Sequence, residues 1–347
     1  MMFGRRKNGS NNGPAATGNR GLLADKPAWM KALLGAVAAL LVLLIGLGVY
    51  WSGEPDIFWV NEKPDNERTV VGYATVDTLV RVAETMLDKP GGYLSNDIMP
   101  PGVFLDNIPN WEFGVLQQVR DLSRVIRNDY SRSQSQSKED PNIAIAEPKF
   151  SIDNDSWIFP ATESEYRDAI TGFARYRDRL SGLGGSDAQF YARADNLREW
   201  LAQVEKRLGS LTRRLGDSVA ETVINTDLAG ERSAASTSEL ADSVQVRTSW
   251  LEIDDVFFEA RGTSWALVHF FRAAEFDFAD VLADKNAAVS VRQIIRELEA
   301  SLQPLRSPVV LNGGGFGLFA NHSLVMANYL ARANAAVINL RELLDQG

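Results

Sequence analysis

The sequence predicts a mostly α-helical protein: a single N-terminal transmembrane helix followed by an extracytoplasmic multi-helix bundle with a long, heptad-patterned hairpin helix. Three observations lead to this prediction. Residues 32–49 are an uncharged apolar run, long enough for one membrane crossing. Apolar residues then recur at spacings of three and four through most of the chain, as amphipathic helices require. Convincing stretches of alternating polar and apolar residues are nearly absent.

Residues 1–28 are predicted to form a disordered, basic cytoplasmic tail. The first 31 residues carry a net charge of +5, so the remaining residues carry −14 and the whole chain −9. The tail is rich in Gly, Asn and Ala and has no apolar periodicity, which is typical of disorder. The positive-inside rule places it in the cytoplasm. The acidic remainder argues against a nucleic-acid partner, because phosphate binding requires a basic surface.

The predicted transmembrane helix spans residues 29–51 and contacts the lipid bilayer. Trp29 lies at one end, and Tyr50 and Trp51 lie at the other, where aromatic rings favour the membrane interface. A cleaved signal peptide is the alternative, but aromatic and acidic residues follow the run where a small-x-small site would be expected. Two pairs of small residues would permit a homodimer through close helix approach. These pairs are Ala32 with Ala36 and Gly35 with Ala39.

The extracytoplasmic part is predicted to contain about seven helices. Residues 52–130 form a first periplasmic helical segment, which begins with an extended polar stretch up to residue 70. Residues 131–160 form a linker or a long loop, because a polar run is followed by three separated prolines. Residues 161–347 form the main periplasmic helical domain, and Thr162 with Glu165 has the spacing of a capping box at its first helix.

The longest regular pattern runs from about residue 187 to 225. From Leu197 to Leu215 the apolar residues alternate spacings of four and three, which is typical of a heptad seam, and Val219 and Val223 continue at spacing four. The favoured interpretation is an antiparallel partner helix inside the bundle. An intermolecular coiled coil is the alternative.

Further predictions concern the C-terminal part and the few strand candidates. Residues 226–245 are predicted to be a loop or a weak helix. The aromatic region 248–283 is predicted to form two helices or one kinked helix, because Gly262 interrupts it. Single-faced apolar patterns predict two more helices, at 287–302 and about 321–345. The brief strand candidates are 143–145 and 309–311.

The stretch GGGFG, from Gly313 to Gly317, raises the question of a phosphate-binding loop before a helix. It lacks the Lys of the P-loop motif and the βαβ surroundings of a Rossmann loop. One interpretation is a structural joint in which glycines adopt positive φ and Asn321 or Ser323 caps the last helix. The other is an apolar contact loop. Its apolar side chains are Phe316, Leu318 and Phe319.

No catalytic, cofactor-binding or metal-binding residue is predicted. The absence of Cys excludes disulfides, thiol catalysis and Cys-ligated metals. The two histidines, His269 and His322, lack a neighbouring Glu-x-x-His pattern, and His269 is expected in the core or a groove with a local hydrogen bond. Glu252, Asp255 and Glu259 fall on one helix face, which is interpreted as solvated. Acid/base catalysis by these carboxylates is the alternative.

The order of features resembles a known family. YWSGEPDIFWV ends the membrane helix, and GYATVDTLVRVAETMLDKPGGYLSND, PPGVFLDNIPNWEFGVLQQVRDLSR and FPATESEYRDAI follow. In this order the chain resembles, over about residues 30–347, an uncharacterised family of single-pass inner-membrane proteins of Gram-negative bacteria. The resemblance implies a bacterial source and a periplasmic domain. It supplies no activity and no catalytic residue.

The favoured function is a membrane-anchored periplasmic interaction or scaffold protein of the cell envelope, with an envelope protein as partner and no cofactor. The expected location is the inner membrane, with the N-terminus in the cytoplasm and the C-terminal domain in the periplasm. One alternative is an envelope enzyme that uses the carboxylates between Glu252 and Glu259. The other is a ligand sensor that acts through a partner, since helical bundles bind ligands between their helices.

Overall fold

The computed structural model shows a mostly α-helical protein, which confirms the predicted fold class. The described residues are 27–60, 70–133, 138–183, 185, 187–217, 221–224, 243–246, 249, 252–304, 310 and 322–346. They contain ten α-helices: α1 (Ala28–Trp51), α2 (Tyr73–Asp88), α3 (Asn107–Val125), α4 (Pro141–Phe150), α5 (Thr162–Leu180), α6 (Ala194–Gly216), α7 (Ile253–Asp277), α8 (Ala279–Asp284), α9 (Ala288–Ser301) and α10 (His322–Asp345). A 3-10 turn precedes α3 at Gly102–Phe104, and a π-helical turn follows it at Ile126–Tyr130.

Two short strands, β1 (Glu221–Ile224) and β2 (Ser243–Val246), form an antiparallel hairpin. They correct two predictions. Val223 belongs to β1 instead of continuing the heptad helix, and residues 243–245 belong to β2 instead of a loop or weak helix. Three consecutive β-branched residues in β1 explain the difference, because they favour an extended backbone over a helix.

Helix α1 contains the predicted apolar run. Among the described residues it is the one helix that is long and apolar enough to cross a membrane, with a mean hydropathy of 2.8 over its most apolar window. The chain divides into two compact units after Leu47. The last turn of α1, from Gly48, therefore belongs to the second unit, which we call the helical body.

The helical body is built around one continuous hydrophobic core. Helices α2, α3 and α9 each pack against α7, while α5 packs against α2 and α4, and α10 packs against α6 and α9. Of the 25 residues of α7, 19 are buried, so this helix is enclosed on nearly all sides. The buried polar side chains of α7 are shielded from water, so the partners that they have lie within the protein.

The predicted linker contains helix α4, so the linker interpretation is wrong for residues 141–150. Asp140 caps the helix by accepting hydrogen bonds from the amides of Asn142 at 3.0 Å and Ile143 at 3.3 Å. Pro141 occupies the first turn, where its missing N–H has no cost. The strand candidate 143–145 is consequently helical. Together with the six-residue α8, α4 raises the number of described helices after α1 to nine, against the predicted seven.

The predicted capping box of α5 is not formed. Ala161 stands at the N-cap position without a side-chain cap. The hydroxyl of Thr162 instead donates to the carbonyls of Asp153 and Ser156, at 2.7 and 2.8 Å. These two bonds hold the preceding loop against the start of α5.

The heptad seam is an antiparallel contact between α6 and α10, which confirms the favoured interpretation. The seam residues from Leu197 to Leu215 are buried, and Arg198 near the start of α6 pairs with Asp345 at the end of α10. At the other end, the hydroxyl of Ser323 donates to the carbonyl of Leu215 at 3.0 Å. Ser323 lies inside α10, so it is not the predicted cap. Because α10 covers this seam, it cannot also form an intermolecular coiled coil.

Gly262 does not interrupt α7 but allows α7 to lie against α3. A Cβ added to Gly262 would lie 2.0 Å from the backbone oxygen of Trp111, and one added to Gly114 would lie 2.1 Å from that of Glu259. Each helix thus has a glycine where the backbone of the other passes. The prediction of two helices or a kink at Gly262 is wrong, because packing outweighs the low helix propensity of glycine.

Gly262→Ala is expected to lower the free energy of unfolding by about 3 kcal/mol, the upper end of overpacking costs, because the methyl group meets backbone. Gly209→Ala in α6 is the matched control. Its Cβ would meet its nearest neighbour at an ordinary 3.6 Å, so the better helix propensity of alanine should leave stability equal or higher. Denaturant unfolding of the full-length protein in detergent measures both. Equal effects of the two substitutions would contradict the close approach of α3 and α7.

Candidate functional site

The three carboxylates predicted on one helix face have different environments. Glu252 is exposed just before α7. Asp255 accepts a hydrogen bond from the Asn110 side chain at 2.6 Å. Glu259 pairs with Arg214 of α6 at 2.8 Å, and its side chain is only 12% exposed. Burial raises the pKa of Glu259, and Arg214 opposes that rise. The solvated-face interpretation is therefore wrong for Glu259, which joins α7 to α6.

Of the two histidines, the structure describes the side chain of His269. The side chain of His322 and the Gly313–Gly317 stretch, with Phe316, Leu318 and Phe319, lie outside the described residues. His269 is fully buried in α7, as expected. Its Nδ1 lies 2.7 Å from the carbonyl oxygen of Trp265, and its Nε2 accepts from the amide of Phe58 at 3.0 Å. This pattern assigns the proton to Nδ1 of a neutral ring.

The contacts of His269 belong to a regular series that joins α7 to the segment following α1. Along α7 the participating residues stand four apart, and along the segment they stand two apart. Four helical residues rise about 6.0 Å, and two extended residues rise about 6.6 Å, so the two repeats match. We call this series the α7 ladder. Its rungs are Arg261 with Glu54, Trp265 with Asp56, and His269 with Phe58.

Arg261 makes the first rung of the α7 ladder. Its guanidinium holds the carboxylate of Glu54 with two bonds of 2.6 and 2.8 Å, and its side chain is only 5% exposed. The same group donates to the carbonyls of Ser301 at 3.2 Å and Gln303 at 3.1 Å. These carbonyls belong to the open C-terminal end of α9. One buried cation therefore fixes both the segment after α1 and the end of α9.

The other two rungs use aromatic side chains. The indole N–H of Trp265 donates to the carbonyl of Asp56 at 3.3 Å. The ring of Phe58 stacks on His269 with centroids 3.9 Å apart, and the guanidinium of Arg81 lies 4.1 Å from the Phe58 ring centre. The segment is therefore held by side chains from both α7 and α2.

Asp277 extends the same face of α7 to the start of α2. Gly72, at the N-cap position of α2, offers no side chain, and the carboxylate of Asp277 accepts from the amides of Gly72 at 2.7 Å and Thr75 at 2.6 Å. Gly72 has a φ of 90°, and a Cβ there would lie 2.2 Å from the ring of Phe190. Burial raises the pKa of Asp277 to about 6. A distant residue thus supplies the cap that the local sequence lacks.

A groove lies beside the α7 ladder, between the segment and α2. Its volume of about 400 Å³ is within the range of small-molecule sites. Burial raises the pKa of Glu84 on its wall. The lining residues are Pro55, Phe58, Arg81, Glu84, Thr85, Asp88, Lys89 and Pro90.

Lys89, at the end of this groove, forms a buried ion pair with Glu112 of α3. Neither side chain has exposed area. Glu112 also accepts hydrogen bonds from the amides of Leu94 at 2.9 Å and Ser95 at 2.8 Å, and Lys89 donates to the carbonyl of Gly92. Burial raises the pKa of Glu112. The pair fastens the loop after α2 onto α3.

Sequence reasoning missed the α7 ladder, Asp277 as a cap, and the Lys89–Glu112 pair. A signal was present for the ladder. Arg261, Trp265 and His269 are polar or polar-tipped residues at i, i+4 and i+8 of a predominantly apolar stretch. A helix whose surroundings are apolar carries such a stripe only where it meets polar groups inside the protein. The identity of the partner segment has no comparable local signal.

His269→Gln is expected to gain stability relative to the wild type as the pH falls from 6.5. Burial lowers the pKa of His269 in the folded protein from 6.5 to about 3. The unfolded chain therefore takes up a proton in this window that the folded chain refuses, so acid destabilises the wild type. At 1.36 kcal/mol per pH unit, the loss through this group reaches about 2 kcal/mol by about pH 5.

Urea unfolding of the full-length protein in detergent, near neutral pH and near pH 5, measures this difference. Asp277, Arg81 and Arg272 are present in both proteins, so their effects cancel between wild type and variant. The carboxamide of the variant can still accept from the amide of Phe58. A stability difference that is the same at both pH values would contradict a buried neutral His269.

Comparison with known proteins gives one match. A family model described as "Uncharacterized protein conserved in bacteria (DUF2333)" matches residues 24–347, which include α1 and the whole helical body. This match confirms the resemblance to an uncharacterised bacterial family. No curated protein and no solved structure matches the chain. Among the described residues, no group of three or more His, Asp or Glu side chains is placed to hold a metal ion.

Proposed function

The chain belongs to this family of uncharacterised proteins conserved in bacteria, and we propose that it is an interaction or scaffold protein of the cell envelope. In this proposal α1 remains in the inner membrane with the N-terminus in the cytoplasm. The helical body lies in the periplasm and binds an envelope protein there.

The observation that carries the proposal is the short, ordered connection between the end of α1 and the α7 ladder. Helix α1 ends at Trp51, and Glu54 is already bound by Arg261. The ladder holds the chain as far as Phe58. A flexible linker of Gly and Ser would let the body explore its surroundings. A body that is fastened to the chain directly after α1 has no such freedom in this connection, which suits a scaffold.

Three features support the retention of α1 over its removal as a signal peptide. Its uncharged run of 18 residues exceeds the 7 to 15 residues that are typical of a signal peptide. Trp51 takes part in the packing of the body, since a Cβ added to Gly91 would lie 2.7 Å from its ring. The basic residues before α1 outnumber those just after it, which favours a cytoplasmic N-terminus.

The enzyme alternative has weaker support from the geometry. Its carboxylates Asp255 and Glu259 are engaged with Asn110 and Arg214, respectively. These contacts join α7 to α3 and to α6, so they account for the two side chains without catalysis.

A short Gly-Ser insertion between Ser52 and Gly53 tests the proposal. It lengthens the connection to the membrane and leaves the α7 ladder intact. In-cell cross-linking of the native bacterium, read by mass spectrometry, is expected to give a reproducible set of envelope partners that this insertion depletes. The same insertion between Gly182 and Leu183, in an exposed turn after α5, is the matched control and should retain the partners. An empty set, or one that survives the first insertion, would overturn the proposal.

A triple variant separates the enzyme alternative from the scaffold. Glu252→Gln, Asp255→Asn and Glu259→Gln together remove the three carboxylates. We expect the partner set to be retained and the cells to grow as wild type. Cells that instead show the defect of a gene deletion, with the partner set intact, would favour catalysis.

A further inference from the structure

Two loops of the helical body expose large apolar side chains to solvent. The first, residues 97–105, exposes four of them, and the ring of Phe104 is 77% exposed. The second, residues 157–159, exposes three in a row, and Phe159 is 92% exposed. Soluble proteins rarely expose contiguous apolar surface of this kind without a binding role. The side chains are Ile98, Met99, Val103 and Phe104 in the first loop, and Trp157, Ile158 and Phe159 in the second.

Buried polar groups hold the two loops side by side. The side-chain amide of Asn96, directly before the first loop, donates to the carbonyl of Ser156 at 3.0 Å and to the carboxylate of Glu163 at 2.8 Å. The hydroxyl of Tyr93 donates to the carbonyl of Asn154 at 2.9 Å. The two loops are therefore neighbours on the helical body. We call the two loops together the apolar rim.

The first loop of the apolar rim also touches the last turn of α1. Gly48 is buried, and a Cβ added to it would lie 3.7 Å from Pro101 and 3.8 Å from Leu105. Gly48 is the next-to-last residue of the 18-residue apolar run. A helix that crosses a membrane with this run leaves the hydrocarbon region close to Gly48. If α1 spans a membrane with this run, the contact of Gly48 with the first loop brings that loop to the lipid interface.

We propose that the apolar rim inserts into the lipid interface around the exit point of α1 and seats the helical body on the membrane. The proposal rests on the proposed function in one respect, namely that α1 spans the membrane. Trp, Phe, Ile and Met are side chains that partition into this interface, and Trp is enriched there. The occupant is lipid and not a protein partner, because the rim adjoins the very helix that the bilayer surrounds.

The charges beside the apolar rim define the kind of lipid contact. Asp97 is the first residue of the first loop, Asp106 directly follows this loop, and Asp153 and Asp155 precede the second loop. These acids would be repelled by anionic lipid headgroups. Insertion is therefore driven by apolar burial, and it should occur in zwitterionic bilayers and persist at high salt.

Fluorescence quenching by nitroxide lipids tests the proposal in the full-length protein. The chain has no cysteine, so single substitutions Phe104→Cys and Phe159→Cys carry one environment-sensitive label each. In phosphatidylcholine bilayers we expect nitroxide lipids to reduce the emission of both labels at least about twofold, at low and at high salt alike. Both side chains are exposed, so the substitutions should leave the fold intact, as far-UV circular dichroism can show.

Two further positions serve as controls. Leu40→Cys, inside the apolar run, reports whether α1 is in the bilayer. Leu183→Cys is an apolar position that is 66% exposed, beyond the end of α5. The start of α5 is bonded through Thr162 to Ser156, directly before the second loop, and the 19 residues of α5 are about 28 Å long. Residue 183 is thus distant from the apolar rim, and we expect no quenching by lipid of a label there.

The outcomes distinguish insertion of the apolar rim from insertion of α1. Quenching at 40, 104 and 159, but not at 183, supports the proposal. Quenching at 40 alone would show that α1 lies in the bilayer but the apolar rim does not. This result would overturn the proposal and leave the membrane-spanning α1 intact. Absence of quenching at 40 would show that α1 does not lie in the bilayer. This result would contradict both the proposed membrane-spanning α1 and the insertion of the apolar rim. Labels at 104 and 159 that are shielded from aqueous iodide but not quenched by lipid would show that a second copy of the chain covers the rim, which also overturns the proposal.

Discussion

Lys89→Met is expected to lower the free energy of unfolding by about 3–5 kcal/mol, the usual cost of removing one partner from a buried ion pair. Lys89 and Glu112 have no exposed side-chain area. Met keeps most of the aliphatic stem but removes the ammonium group. The carboxylate of Glu112 is then left buried with hydrogen bonds from Leu94 and Ser95 but with no counter-charge. Urea unfolding of the full-length protein in detergent measures the loss.

The double variant Lys89→Met with Glu112→Gln is the matched control. Its carboxamide oxygen can still accept from the amides of Leu94 and Ser95, and no buried charge remains. Replacing a whole buried pair by neutral groups is often close to neutral, so most of the lost stability should return. If the double variant is as unstable as Lys89→Met alone, packing around the Lys89 stem is the cause and the electrostatic explanation is wrong.

Helices whose burial follows a local repeat could be predicted from the sequence to within about two residues. The structure places α9 at Ala288–Ser301 and α10 at His322–Asp345, close to the predicted bounds. The spacing of their apolar residues alone determines which face is buried. Helix α4 is not predicted, because separated prolines normally indicate breaks in regular structure. Pro141 instead stands in the first helical turn, where proline is favoured.

The candidate site could not be predicted in the same way, because its contacts join distant parts of the chain. Arg261 and Glu54 are 207 residues apart, and His269 and Phe58 are 211 apart. Periodicity shows that a face of α7 is buried, but it does not show which segment covers it. The prediction at Gly262 was also wrong because it considered only local sequence. The low helix propensity of glycine predicted a break, whereas the approach of α3 decides the conformation.

Helix α7 connects the segment after α1 to the rest of the core. Through Arg261 it holds Glu54 and the end of α9, and through Asp277 it caps α2. A change on this face is therefore expected to act on several elements together. The side chain with the most partners, Arg261, should show the effect most clearly.

Arg261→Met is expected to cost about 3–5 kcal/mol of unfolding free energy, since it leaves Glu54 without its counter-charge and removes the donors to the end of α9. It should also free the segment after α1, so limited proteolysis should cleave between Trp51 and Trp59 faster than in the wild type. Trp59 itself is exposed and marks where a protease can approach.

Arg272→Met is the matched control, on the same helix and also in an ion pair. Its partner Glu299 and its own side chain are partly exposed, with a distance of 2.6 Å, so solvent screens the pair and the expected cost is about 0–1 kcal/mol. Its guanidinium lies 6.0 Å from the ring centre of Trp59, at the outer limit of a cation–π contact, so the cleavage pattern of the segment should change little compared with Arg261→Met. Equal costs for the two arginines would mean that α7 holds the segment by apolar packing alone. A large loss with an unchanged cleavage pattern would mean that Arg261 supports α9 and not the connection to α1.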